Sequence, residues 1–433
     1  MSLKKTLLKN TTLNMAGYVY LLVAAMISIP ILIKNLGQSQ YGIFILFGSF
    51  APLLSAFDLG LSQAAIRFLS LPDLDLDKRK RIWKTATSGF LALSATVTVA
   101  AFFLIAFGVS RMAAVSDLSP IYFWVMTALT CAIVFFNHLN IGMLTLPQAD
   151  QRFDIYNKRV LIIGTTNTIG IALVSYYFQS PIFLFLTQLT SQIVMFISLF
   201  SYIAKSLPGV RLRFGFDQEY RPKLFNFGFR QFIGNIASQI NFYSSRFIIG
   251  SSLPAQSVTS FGVPQNLIAK AAGGISQMTL ALFPMGTALS TKERLPKLKK
   301  LIWTLEFVIF LLGLSGIAFI YQLGLPILQW WLKIPQLAQN AYSILKILSW
   351  YFAIAILTPI PTAISESLNY PQVPSFFAVL TTIVTVILLV VLIPIYGIAG
   401  AAYAYLASAI LTAPPFIITF AYILNRHGDA NRE

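Results

Sequence analysis

Long apolar segments separated by short polar connections run along almost the whole chain. Each segment has about 18–30 residues, enough for a helix to cross a hydrocarbon layer about 30 Å thick. The pattern therefore predicts an all-α polytopic membrane protein with about twelve transmembrane helices. The predicted spans are residues 12–33, 41–69, 84–109, 120–146, 160–178, 181–204, 225–249, 256–289, 302–323, 338–363, 374–393 and 396–424.

The composition supports the membrane class, because 57% of the residues are hydrophobic and only 10% are charged. Soluble domains contain roughly 25% charged residues. The formal net charge of +17 is compatible with a nucleic-acid partner, but the basic residues are dispersed among connections between apolar segments. Membrane lipids with anionic headgroups explain this distribution better, so no nucleic-acid partner is expected. Cys131 is the only cysteine, which excludes an internal disulfide.

The distribution of Lys and Arg predicts the orientation of the chain. One alternating set of connections contains most of the basic residues, whereas the opposite set contains only Lys34, Arg111 and Lys333. The positive-inside rule therefore places both termini in the cytoplasm. The N-terminal MSLKKTLLKN is similar to the start of a signal peptide, but no small-residue cleavage site follows it. We predict a retained first helix and a location in the bacterial inner membrane.

The longest polar connection divides the spans into two sets of six. We predict an N-terminal lobe at residues 1–204, a cytoplasmic linker at 205–224 and a C-terminal lobe at 225–433. Because six is an even number, both lobes would enter the membrane in the same orientation. Parallel repeats of this kind are related by an axis along the membrane normal, with the substrate path between them. The expected architecture is two six-helix lobes around a central cavity.

Motifs for catalysis or cofactor binding are absent from the sequence. There is no G-x-x-x-x-G-K-[ST] and no H-E-x-x-H, and the only histidines are His138 and His427. His138 is more typical of a packed or hydrogen-bonded helix residue than of a catalyst. The outer connections are too short to form an extracytoplasmic catalytic domain. We therefore predict a protein that is not an enzyme and that has no cofactor or metal.

Polar residues recur at a spacing of three to four in spans seven and eight, which places them on one face of each helix. Such faces can line a water-filled cavity, or their amides can hydrogen-bond between helices while glycines permit close packing. A lysine deep in span eight favours the cavity, because a charge at the bilayer centre costs about 2.5–3.5 kcal/mol. The residues are Asn235, Ser238, Gln239, Asn241, Ser245 and Arg246 in span seven, and Asn266, Lys270, Gly273 or Gly274, and Gln277 in span eight.

For four charged residues within the spans, a structural role is as open as a functional one. Arg246 and Lys346 lie near the outer ends of their spans, so each could line the cavity or extend its head to the interface. Asp58 in span two could pair with a cation, or carry a proton when buried. Arg67, near the cytoplasmic end of the same span, could contact lipid headgroups or be the partner of Asp58.

Acidic residues are few within the spans. Glu306 and Glu366 are predicted to be interfacial. The cavity would therefore be net positive, which favours an anionic substrate such as a diphosphate over a cationic drug.

Three stretches of the first 160 residues resemble bacterial polysaccharide flippases of the multidrug/oligosaccharidyl-lipid/polysaccharide exporter superfamily. They are the opening NTTLNMAGYVYLLVAAMISIPILIKNLGQSQYGIFILFGSF, then FDLGLSQAAIRFLS at 57–70 and QRFDIYNK at 151–158. The resemblance implies a two-lobed, alternating-access transporter that moves an undecaprenyl-diphosphate-linked oligosaccharide to the outer leaflet. A cationic central cavity is a trait of that family. Polysaccharide polymerase and chain-length machinery are the partners it implies.

Alternatives remain open at this point. The resemblance does not favour lipid II as the substrate, because members of that branch often have a basic residue in the first helix and none lies between Thr12 and Ile33. A cation or drug antiporter of the same superfamily would be expected to have an acidic cavity. An integral-membrane glycan polymerase would need a longer outer loop, and a non-transporting scaffold would leave the buried position of Lys270 unexplained.

Overall fold

Helices form every regular element of the chain as far as the structure describes it. The computed structural model describes residues 3–71, 74–209, 214–279 and 295–430. Within these ranges it describes side chains from residue 17 onward except at 226–231, 277–279, 295 and 427–430. The all-α prediction is confirmed. The α-helices are α1 Leu3–Gly48, α2 Phe50–Ser55, α3 Leu61–Leu69, α4 Leu76–Phe103, α5 Pro120–Met143, α6 Thr145–Ala149, α7 Phe153–Thr165, α8 Ile171–Phe178, α9 Pro181–Ser206, α10 Tyr220–Ser252, α11 Ala255–Thr279, α12 Leu295–Leu332, α13 Pro335–Ala355, α14 Pro359–Ser367, α15 Gln372–Tyr396 and α16 Ile398–Ala430.

Nine segments of the described residues are long and apolar enough to cross a membrane. The first, Gly17–Ser55, has 39 residues and would be about 58 Å long if straight, roughly twice the hydrocarbon thickness. Gly37 interrupts it with φ 79° and ψ 164°, so this segment supplies two crossings. Helices α10 and α11 have 33 and 25 residues, long enough to cross a membrane. Their polar faces lower their mean hydropathy, so they are not among the nine segments. Together the described helices supply about the twelve crossings expected from hydropathy.

The predicted span 41–69 does not form one continuous helix. Helix α2 ends at Ser55, and residues 56–60 form a turn before α3 begins. The Asp58 carboxylate stabilises this turn. Its Oδ1 accepts a hydrogen bond from the Gly60 N–H at 2.9 Å. Its Oδ2 accepts hydrogen bonds from the Ser62 N–H at 3.4 Å and from the Ser62 hydroxyl. Short-range hydrogen bonds of this kind compete with helix formation.

The described chain forms two compact units, residues 1–239 with 254–256 and residues 240–253 with 257–433. In the first unit a core cluster includes Trp83 and Phe90 of α4. Helix α5 approaches α4 closely at Gly142, where a Cβ would lie 2.3 Å from the Phe90 ring. This contact requires glycine.

The core of the second unit joins α12, α14 and α16. Ile302, Ile360 and Phe420 are each at most 1% exposed and belong to one cluster. Partly buried Leu305 and Phe352 pack against this cluster, so close apolar packing stabilises this part of the unit.

Residues 214–219, which belong to the predicted linker, are bound to α4 of the first unit, and we call them the strap. The Asp217 N–H donates to Thr85 Oγ1 at 3.0 Å. Arg81 Nε donates to Asp217 Oδ2 at 2.7 Å. Asp217 Oδ1 in turn accepts from the Tyr220 N–H at 3.3 Å at the start of α10. The strap is therefore a fixed part of the first unit.

Candidate substrate-binding site in the second unit

Arg246 of α10 lies inside the second unit, with only 6% of its surface exposed. One guanidinium nitrogen donates to Asn266 Oδ1 at 2.8 Å, and Nε donates to Gln265 Oε1 at 3.4 Å. The guanidinium carbon also lies 5.2 Å from the ring centroid of Phe242 and 5.0 Å from that of Tyr243. Cation–π contacts of this length stabilise a charge by about 0.5–2 kcal/mol. Arg246 is thus held by its own helix and by α11.

Gln265 connects Arg246 to the last helix. Its Nε2 donates to the Phe242 carbonyl at 2.8 Å and to Ser245 Oγ at 3.0 Å, and it lies 3.2 Å from the Tyr405 hydroxyl. The Tyr405 hydroxyl donates to the Asn241 carbonyl at 2.5 Å. Because all these groups are enclosed, the hydrogen bonds offset the cost of burying them.

Gln265 and Tyr405 were missed by sequence reasoning. Gln265 lies directly between Pro264 and the predicted site residue Asn266. Its position in the sequence could therefore have indicated that it belongs to the site. Tyr405 lies in an apolar helix. Its ring is stacked beside that of Phe261, with 6.1 Å between the ring centroids, and is edge-on to that of Tyr351, with 5.4 Å between the centroids. Nothing near Tyr405 in the sequence indicates that it meets α10.

Lys270 lies on α11 four residues after Asn266, and it is half-buried. Residues four apart share a helix face. We call Arg246, Asn266 and Lys270 the cationic stripe. The structure brings Arg246 and Asn266 into contact and places Lys270 one turn further along the same face of α11.

The other predicted site residues are more dispersed. Asn235 is exposed and Gln239 is half-buried, both in the part of α10 that belongs to the first unit. Gln277 lies in α11, but its side chain is outside the described residues. Lys346 on α13 has its Nζ 4.9 Å from the Tyr342 ring centroid, so its described contact is with its own helix.

The predicted charged residues outside the stripe also have defined positions. Asp58 accepts the hydrogen bonds of its own turn, and Arg67 is exposed on α3 with its guanidinium 6.0 Å from the Phe68 ring centroid. Glu366 is exposed, whereas Glu306 is only 9% exposed. Glu306 is therefore enclosed by protein at its position on α12.

His138 lies in α5 of the first unit. His138 is 2% exposed, and within the described residues neither ring nitrogen has a hydrogen-bond partner. It is a packed helix residue, as predicted. The described residues contain no group of three or more His, Cys, Asp or Glu side chains that could hold a metal.

Solved structures of membrane transporters share this fold. An inward-facing multidrug resistance MATE family transporter of the MOP superfamily has a TM-score of 0.67 at 13% identity, covering 93% of this chain and 95% of its own. The lipid II flippase MurJ, in an inward closed conformation, has a TM-score of 0.67 at 15% identity, covering 95% of this chain and 90% of its own. The chain therefore has the fold that these two transporters share.

The family follows from the sequence comparison. Residues 7–290 match the family described as polysaccharide biosynthesis protein, and the chain belongs to that family. It is also 24% identical over 417 residues to the "Putative O-antigen transporter" of Shigella flexneri, covering 94% of this chain and 96% of that protein. The resemblance noted in the first 160 residues is confirmed, and the chain is a multi-pass membrane protein.

Proposed function

We propose that this protein is a flippase that moves an undecaprenyl-diphosphate-linked oligosaccharide repeat unit across the bacterial inner membrane by alternating access. The product would enter surface polysaccharide biosynthesis, where polymerase and chain-length machinery act on it. Both termini lie in the cytoplasm in this proposal, because the basic connections are on that side. An ion gradient or the membrane potential supplies the energy.

The cationic stripe is the observation that carries this proposal. A diphosphate presents several acceptor oxygens to Arg and Lys side chains, and charge-assisted hydrogen bonds to such groups are roughly twice as strong as neutral ones. Asn266 orients the Arg246 guanidinium at 2.8 Å, and Lys270 adds a flexible cation one turn away. The match of residues 7–290 to a polysaccharide biosynthesis family supports an anionic, sugar-bearing substrate for this site.

Replacing Lys270 by Ala tests the site. In proteoliposomes containing a labelled lipid-linked oligosaccharide, we expect the initial rate of translocation to fall at least about tenfold, because a charged hydrogen bond contributes roughly 1.5–3 kcal/mol. Lys270→Arg should retain part of the rate. Lys34→Ala, which removes an exposed lysine beside the Gly37 turn, is the matched control and should be unchanged.

Two outcomes would count against the proposal. A wild-type rate in Lys270→Ala, at equal abundance and insertion, would remove Lys270 from the mechanism. Transport of a hydrophobic cation with no movement of the lipid-linked oligosaccharide would indicate the drug-antiporter alternative.

A further inference from the structure

Two apolar grooves lie on either side of α7 in the first unit. The first groove, between α7–α8 and α9, has a volume of about 500 Å³ and is lined by apolar side chains such as Phe178, Leu186 and Val194. The second groove, between α1 and α7, has a volume of about 650 Å³ and is lined by Gly17 and Leu161 among others. Each is large enough for a hydrocarbon chain, since ligand pockets typically measure about 300–1,000 Å³.

The two grooves meet along one ridge of α7. Ile162 and Thr166 line both of them. Thr166 also begins a π-helical turn that runs to Gly170. Single π-helical turns within α-helices are frequent at functional sites. A molecule with two apolar chains could place one chain in each groove and cross the ridge between them.

A pair of adjacent basic residues lies at the same end of both grooves. Arg159 lines the first groove and Lys158 lines the second. One Arg159 nitrogen donates to the Ser198 carbonyl at 3.0 Å and to Ser198 Oγ at 3.1 Å, which fixes the guanidinium against α9. Its Nε is buried and, within the described residues, has no hydrogen-bond partner. The head of a bound molecule would therefore meet two positive charges.

We propose that the two grooves and the Lys158–Arg159 pair bind one anionic, two-chain phospholipid from the adjacent leaflet, with an acyl chain in each groove and the phosphate against the two cations. A bilayer already solvates acyl chains, so the grooves determine the position of the chains and the charges select the lipid. A basic residue near the membrane surface contributes about 1 kcal/mol toward an anionic lipid. The site is distinct from the cationic stripe, and its existence does not depend on the transported substrate.

Native mass spectrometry of the full-length protein with added phosphatidylglycerol or phosphatidylcholine tests this site. We expect one tightly retained phosphatidylglycerol and weaker retention of phosphatidylcholine. Lys158→Gln should lower the phosphatidylglycerol affinity roughly fivefold, and the double variant with Arg159→Gln roughly 30-fold. Lys34→Gln is the charge control and should have no effect.

A second variant tests the groove without changing charge. Thr190 lines the first groove, and Thr190→Trp should fill it and reduce phosphatidylglycerol retention. Ile197→Trp, on the same helix and 58% exposed but not among the lining residues, should leave retention unchanged. Melting temperatures of all variants identify any that fail to fold.

Three results would overturn the proposal. Equal retention of the two lipids would remove the role of charge. An effect of the charge variants without any effect of Thr190→Trp would remove the role of the groove. Displacement of phosphatidylglycerol by an equimolar polyprenyl diphosphate would assign the grooves to the substrate lipid instead.

Discussion

Arg246 illustrates how a charged side chain is accommodated inside an apolar helical unit. An unpaired polar group buried away from water costs several kcal/mol, and a buried charge costs more. Here Asn266 and Gln265 supply acceptors, while the faces of Phe242 and Tyr243 lie about 5 Å from the guanidinium carbon. The site is therefore organised before any substrate enters it.

The sequence predicted part of this site. The three-to-four spacing identified Arg246, Asn266 and Lys270 as neighbours on two helix faces, because local periodicity is visible in one helix at a time. It did not identify Tyr405, because its contact with Asn241 joins positions 164 residues apart. Helix periodicity carries no information about such a partner.

Replacing Tyr405 by Phe should destabilise the second unit by roughly 1–3 kcal/mol, because it removes the hydroxyl that bonds the Asn241 carbonyl and leaves a buried acceptor with fewer partners. Thermal unfolding in detergent measures the effect. Tyr403→Phe, an exposed tyrosine on the same helix, is the control. Equal melting temperatures for the two variants would contradict this role of Tyr405.

At the scale of the helices, hydropathy predicted where the chain crosses the membrane but not where a crossing bends. The turn at 56–60 depends on Asp58 and Gly60, whose flanking residues remain apolar. The Gly37 bend depends on one backbone conformation. Neither changes the average hydropathy of its segment, so neither is visible in a window of twenty residues.

Gly37→Ala should destabilise the fold by roughly 1–3 kcal/mol. Its φ of 79° with ψ of 164° falls in a region that is essentially restricted to glycine. No atom lies within 4 Å of a Cβ built at Gly37, so the cost arises from the backbone alone. Gly48→Ala is a matched control, because Gly48 also has open space around it and lacks the positive φ. A loss of stability from Gly48→Ala as large as that from Gly37→Ala would contradict this explanation.

The attachment of the strap should depend on pH. The hydrogen bond from Arg81 lowers the pKa of the Asp217 carboxyl below its ordinary value. The contribution of Asp217 is therefore complete above the pKa of the unfolded chain, and it is lost as the pH falls through the lower pKa of the folded protein.

Asp217→Asn should loosen the strap at neutral pH. We expect amide hydrogen exchange at Gly215 and Asp217 to become about two- to fivefold faster, since exposed ion pairs contribute little. Asp117→Asn, in an outer connection, is the control. Unchanged exchange in the strap would show that the backbone bonds to Thr85 and Ser88 suffice.

At the scale of the whole molecule, the alternation of apolar and basic segments predicted both the fold class and the orientation. The fold class is confirmed by the helices and by transporters with TM-scores up to 0.67. The number of crossings could be estimated only approximately, because α10 and α11 are polar enough to fall below the usual hydropathy of a span. In our proposal, α10 and α11 have this low hydropathy because their polar residues bind the substrate.

Reporter fusions test the orientation. Alkaline phosphatase, which is active only outside the cytoplasm, should be active when inserted at residues 112–119 and inactive when inserted at 147–152 or after residue 430. The expectation follows from the bias of Lys and Arg between the two sets of connections. Activity at both 112–119 and 147–152 would contradict the predicted topology.

The strap also has a consequence for dividing the gene. If the chain were coexpressed as two fragments divided between Pro208 and Gly209, the second fragment would still contain the strap. The strap binds α4 of the first fragment through Arg81, Thr85 and Ser88. The strap would then act as a non-covalent clasp between independently inserted halves. Fragments cut after the strap would lack this clasp, so the position of the cut should decide how well the halves reassemble.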